Sequence, residues 1–175
     1  MDFRDITEFI KDTSKYILVI IFVLLVFIFV VGLNQVIGPS MEPNLYEDDI
    51  VIVNKLLYRF KDIVRNDVVI IKQEEKYMIK RIIGLPNEYI EYKDGYLYVD
   101  GKPYEEKFET SETKDFNLKD IDPDINKIPN DMYLVLGDNR INSKDSRNYG
   151  LINKEQIVGK AWIKIWPFND IKFIK

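Results

Sequence analysis

The 175-residue chain contains no histidine and no cysteine. Without histidine a Ser-His-Asp triad cannot be assembled; without cysteine there is neither a thiol nucleophile nor a disulfide. The two absences together remove the usual zinc ligands, and no metal or organic cofactor is expected. An excess of basic charge is missing as well. Lys and Arg number 25 against 29 Asp and Glu, the net charge is −4, and the basic residues are scattered. Nothing in that balance points to a nucleic-acid partner. No internal repeats are seen, so the fold must stand on a single-copy hydrophobic core.

A further lack is local. Tyr16 to Leu33 reads YILVIIFVLLVFIFVVGL, with no charged side chain. Crossing a bilayer core as a helix takes about 20 apolar residues, with roughly 17 as the short limit. The run predicts a transmembrane helix over 16–33 and makes the lipid bilayer a partner. A cleaved leader would have a shorter apolar stretch and then a small-residue cleavage site, which Asn34-Gln35-Val36-Ile37-Gly38 does not supply. Arg4, Lys11 and Lys15 precede the run, and no Lys or Arg follows it until Lys55. The positive-inside rule then places residues 1–15 in the cytoplasm and 34–175 outside, in a single-pass plasma-membrane protein.

Beyond the anchor the pattern is that of short strands. Asp49–Asn54 and Asp67–Lys72 are apolar, β-branched runs with polar ends, and Gln73-Glu74-Glu75-Lys76 is a turn leading into a strand over Tyr77–Ile83. Asp94-Gly95 and Asp100-Gly101 signal two hairpins around the strand Tyr96–Val99. Met132–Leu136 and Gln156–Trp166 complete the set. The expected class is mainly β, an external domain of coiled antiparallel sheets after one helix. Residues 103–131 are acidic and polar and read as a surface excursion, with room for a short strand or helix.

Three segments carry candidate chemistry. In Gly38-Pro39-Ser40-Met41-Glu42-Pro43 the prolines fix the backbone around Ser40, and Gly38 leaves room for another chain to approach. Taken alone, the segment also reads as a rigid juncture between helix and first strand. In Met78-Ile79-Lys80-Arg81-Ile82-Ile83-Gly84, alternation puts Lys80 on one face with Met78 and Ile82. A desolvated lysine loses its preference for the charged form and becomes a base; an edge-strand lysine guarding against aggregation is the other reading. The third segment, GDNRINSKDSRNYG from Gly137 to Gly150, packs Asp, Arg and Ser densely after a strand. Such a loop can brace a neutral amine through a hydrogen-bond network, or simply be a solvated loop. With no His or Cys present, a Ser40–Lys80 dyad is the hypothesis these segments make together.

The anchor, GPSMEPNL, DDIVIVNK, YMIKRIIGLPNE and the 137–150 loop, in this order, resemble type I signal peptidase in its compact, single-span form typical of Gram-positive bacteria. That family removes leader peptides from exported precursors. The resemblance implies Ser40 as nucleophile, Lys80 as general base and Ser143 as the hydroxyl that orients the lysine amine. It further implies Asp145 and Arg147 as a supporting ion pair, with Asp138 and Arg81 structural beside the site. Substrate would run along Val36, Ile37, Gly38, Met78 and Ile79. Its partners would be leader-bearing precursors delivered alongside the secretion machinery. Some members carry a serine where this chain has Gly38, so the oxyanion hole here would rely on the Ser40 backbone N–H and another donor. The competing class is a catalytically silent, anchored β domain that binds exported peptides.

Overall fold

The computed structural model describes residues 3–174; the start of the expected cytoplasmic segment 1–15 and the side chains at 3–10, 26–29 and 59 lie outside the described residues. The chain opens with a helix, α1 (Phe3–Val30), running through both the charged N-terminal stretch and most of the apolar run. It ends earlier than the sequence predicts. Residues 31–33 are not helix but the start of β1 (Val31–Gln35), because a ladder to β2 (Ile50–Asn54) pairs Val31 with Asn54 and captures their backbone groups. Among the described residues no helix is long and apolar enough to cross a membrane. The side chains from Tyr16 to Leu25 are nevertheless all apolar and between 47% and 71% exposed.

The strands then follow with turns where the sequence marks them. After a helical turn, α2 (Leu57–Phe60), come β3 (Val68–Gln73) and β4 (Lys76–Gly84). Next are β5 (Ile90–Lys93), β6 (Tyr96–Val99) and β7 (Lys102–Tyr104). Both hairpin turns put two residues at positive φ, Asp94 with Gly95 and Asp100 with Gly101. That is the type I′ requirement, met most easily by Asp-Gly. The remainder is β8 (Phe116–Asn117), α3 (Leu118–Ile121), β9 (Met132–Leu136), α4 (Ser146–Tyr149), β10 (Ile152–Asn153), β11 (Ile157–Trp166) and β12 (Lys172–Phe173).

Two antiparallel sheets result. The larger has the order β1-β2-β11-β3-β4-β9-β10, with β12 on β11; the smaller is β7-β6-β5-β8. Register shifts in β11 against both of its long neighbours bend the larger sheet, as bulges do. Val36, Met41, Leu45, Val51, Val53, Val68, Ile70 and Ala161 fill one core cluster behind it. The 103–131 excursion is more than a solvated loop. β8 joins the smaller sheet, and Leu118 and Ile128 are fully buried in a second core with Tyr92 and Leu97. Isolated apolar residues in a polar stretch carry no periodicity, so this tertiary use of them is invisible locally.

One consequence of the pairing positions the site. Four successive antiparallel pairings connect β1 to β4 through β2, β11 and β3, so β1 and β4 run in the same direction. β1 pairs only with β2, and β4 meets β9 only from Arg81 onward. Both β1 and the Lys76–Lys80 half of β4 therefore keep one edge with no strand partner among the described residues.

Candidate active site

Ser40 sits where the chain leaves β1, and Lys80 at the point where the open half of β4 ends. The two meet: Lys80 Nζ lies 2.8 Å from Ser40 Oγ and donates to the Ile79 carbonyl at 2.9 Å. Lys80 is 4% exposed. Burial pulls its pKa from 10.5 down to about 8, against the opposing pull of the Asp145 and Asp138 carboxylates. Both hydrogen-bond partners of the amine are neutral. A neutral amine beside a hydroxyl is the arrangement a Ser–Lys base requires.

Arg81, the next residue, is treated in the opposite way. Its guanidinium forms a bidentate pair with Asp138, Nε to Oδ1 at 2.8 Å and Nη2 to Oδ2 at 2.7 Å. It also donates to the Asn66 carbonyl and stacks over Phe108 at 3.9 Å. Asn44 donates to the same Asp138 carboxylate, which ties the nucleophile segment to the start of the 137–150 loop. Two further bonds do the same: Asn139 N–H donates to the Ser40 carbonyl and its side-chain amide to the Pro39 carbonyl.

The loop itself is held by Asp145. Its carboxylate pairs with Arg147 at 2.8 and 2.7 Å, caps α4 and accepts the Gly137 N–H at 3.0 Å. Gly137 has no space for a side chain. A Cβ there would stand 2.3 Å from Ser143 Oγ and 2.4 Å from the Ser40 carbonyl oxygen. Ser143 thus lies beside the dyad, yet its hydroxyl oxygen is buried without a hydrogen-bond partner. The expected bond from Ser143 to the lysine amine is absent; the amine turns to Ser40 and Ile79 instead.

Of the expected substrate contacts, Val36, Ile37, Met78 and Ile79 line one cavity of about 590 Å³ together with Ser40 and Lys80. Gly38 does not line it. Its N–H donates to the Glu47 carboxylate and its φ is +75°. The Ser40 backbone N–H donates to no group among the described residues.

Sequence reasoning missed a second layer. Arg140 is buried and donates to the Gly137 carbonyl, the Tyr92 and Thr113 hydroxyls and the Glu106 carboxylate. It bolts the smaller sheet and the excursion to the loop. The density of polar residues between two glycines was the available signal, but the side-chain partners lie 27 to 48 residues away.

Residues 6–166 match the model of the signal peptidase family, peptidase S26. The chain belongs to that family. It is 38% identical to signal peptidase IB of Staphylococcus aureus strain MRSA252, over 83% of each protein. It is 45% identical to signal peptidase I V of Bacillus subtilis strain 168, covering 71% of this chain and 80% of that protein. Among solved structures it resembles a signal peptidase I from Enterococcus faecalis V583, at 32% identity with a TM-score of 0.52. That match covers 57% of this chain and 97% of the other.

Proposed function

We propose that this protein is a membrane-anchored serine endopeptidase that removes leader peptides from exported precursors. The observation that carries the reading is the buried contact between Lys80 Nζ and Ser40 Oγ at the floor of a groove between two unpaired, parallel strand edges. In the Michaelis complex neutral Lys80 takes the Ser40 proton as Oγ attacks the scissile carbonyl. The lysine then gives that proton to the leaving amine as the peptide bond breaks. A water molecule, deprotonated by the same amine, hydrolyses the acyl-enzyme. The Ser40 N–H, which donates to no group among the described residues, is available to the oxyanion.

The topology also gives the substrate a direction. β1 and β4 both run toward the dyad, so a leader ending there and lying between them is parallel to both, and its backbone can bond to both edges. Family resemblance supplies the preference for small residues one and three positions before the cut. Asp145, Arg147, Asp138 and Arg81 hold the 137–150 loop and the nucleophile segment in register. The family resemblance gives Ser143 the role of orienting the amine, and its buried, unpartnered hydroxyl beside Gly137 supports that reading. The exposed apolar helix Tyr16–Leu25 supports an anchor in lipid, with the β domain outside the cytoplasm.

The test uses the full chain in detergent with a precursor bearing an Ala-x-Ala leader, beside Ser40→Ala and Lys80→Ala. Cleavage after the leader by the unaltered protein alone is the expected result. Cleavage by all three, or by none with folded protein and a competent precursor, would reject the reading.

A further inference from the structure

The groove does not end where the residues next to the cut would end. A second cavity of about 450 Å³ lies farther from the dyad, at the foot of α1. It shares Leu33, Asn34, Ile70 and Tyr77 with the first cavity, so the two adjoin along β1 and β4. Val31 and Val158 extend its apolar wall, and Leu33 and Tyr77 stand on its rims at 60% and 58% exposure. Large apolar side chains left that open, on two facing edges that lack a strand between them, lack an apolar occupant.

We propose that this second cavity is a binding subsite for apolar side chains of an extended peptide, five to seven residues before the scissile bond. The proposal rests on the peptidase reading of Ser40 and Lys80 and extends it. A strand parallel to β1 advances with it at about 3.3 Å per residue. With the residue before the cut beside Ile37, the third back lies beside Gln35, the fifth beside Leu33 and the seventh beside Val31. Recognition at the first and third positions occupies only the first cavity. The fifth and seventh side chains share one face of the strand and fall on the second. Lys55 closes the far end: a Cβ on Gly32 would stand 2.7 Å from Lys55 Cε. Apolar residues are therefore accepted there and a lysine is repelled.

The experiment compares three synthetic peptides on the full chain in detergent. One has four residues before an Ala-x-Ala cut. A longer one has eight, with Leu at the fifth and seventh positions, and a third has Ser at those two positions. Two partly buried leucines support a kcat/KM roughly ten-fold higher for the Leu peptide than for either of the others. Tyr77→Ser, at an exposed rim where folding is least threatened, brings that ratio near one, and Val158→Phe, which fills the cavity, does the same. Equal kcat/KM for the three peptides, or a ratio untouched by both variants, overturns the subsite while leaving the peptidase reading intact. Cleavage of none of them overturns the peptidase reading, and the subsite with it.

Discussion

Among the described residues two lysines are buried, Lys80 at 4% exposure and Lys164 at 1%, and their surroundings are opposites. Lys164, on β11, bonds to Asp49 at 2.8 Å and to Asp170 at 2.6 Å. Burial pulls its pKa down, but the bonds to Asp170 and Asp49 outweigh burial and raise it. Lys80 has a hydroxyl and a carbonyl where Lys164 has carboxylates, so burial wins and its pKa falls to about 8. The carboxylates nearest Lys80 are already engaged, Asp138 by Arg81 and Asp145 by Arg147. Burial alone does not make a base. Burial with every nearby carboxylate committed elsewhere does.

The largest expected effect separates proton transfer from charge. Lys80→Arg keeps the positive charge but cannot deprotonate near neutrality, and kcat should fall by about 1,000-fold or more, read in a precursor-cleavage assay. An Arg variant with near-normal turnover would break the comparison at its base.

Lys164→Met should cost about 3 kcal/mol in denaturant unfolding, because it leaves Asp49 buried without its cation. Once the loss of folded protein is corrected for, the pH dependence of cleavage should stay as it was. A shift of that profile would mean the two lysines are not independent.

A smaller effect has the reverse sign. Lys80→Met should abolish activity yet stabilise the fold by about 1–3 kcal/mol at pH 7. The sign follows from the folded pKa lying below the unfolded one. Below pH 8 the lysine is charged in both states and the burial penalty, about 3 kcal/mol, is fully present. As pH rises from about 8 toward 10.5 the folded form sheds its proton first and the penalty disappears. The stability gap between the two proteins should therefore narrow at alkaline pH. For Lys164, with its raised pKa, the stabilising pairing persists through that window and is lost only above it.

The Lys80 half of this contrast was legible in the sequence and the Lys164 half was not. Absent histidine and cysteine left few candidates to activate a serine, and an apolar strand around Lys80 marked it. Within the Gln156–Trp166 run nothing local distinguishes Lys164 from Lys160. What buries Lys164 is Asp49, 115 residues earlier, in the turn that supports Val36. Strand positions and Asp-Gly hairpins were also readable, since alternation and φ > 0 are local requirements. The end of α1 at Val30 was not, because the ladder with Ile50–Asn54, not the composition of 31–33, decides it. Nor was the clamp of Glu106 and Thr113 on Arg140, which turns a stretch that reads as loose into a brace for the 137–150 loop.

The most direct measurement is the titration of the Lys80 amine itself, by NMR of isotopically labelled lysine in the full chain, assigned against Lys80→Met. A midpoint near pH 8, well below that of the surface lysines, is the predicted result. A midpoint at 10 or above would leave the amine protonated at working pH, and contradict the assignment of Lys80 as the base that activates Ser40.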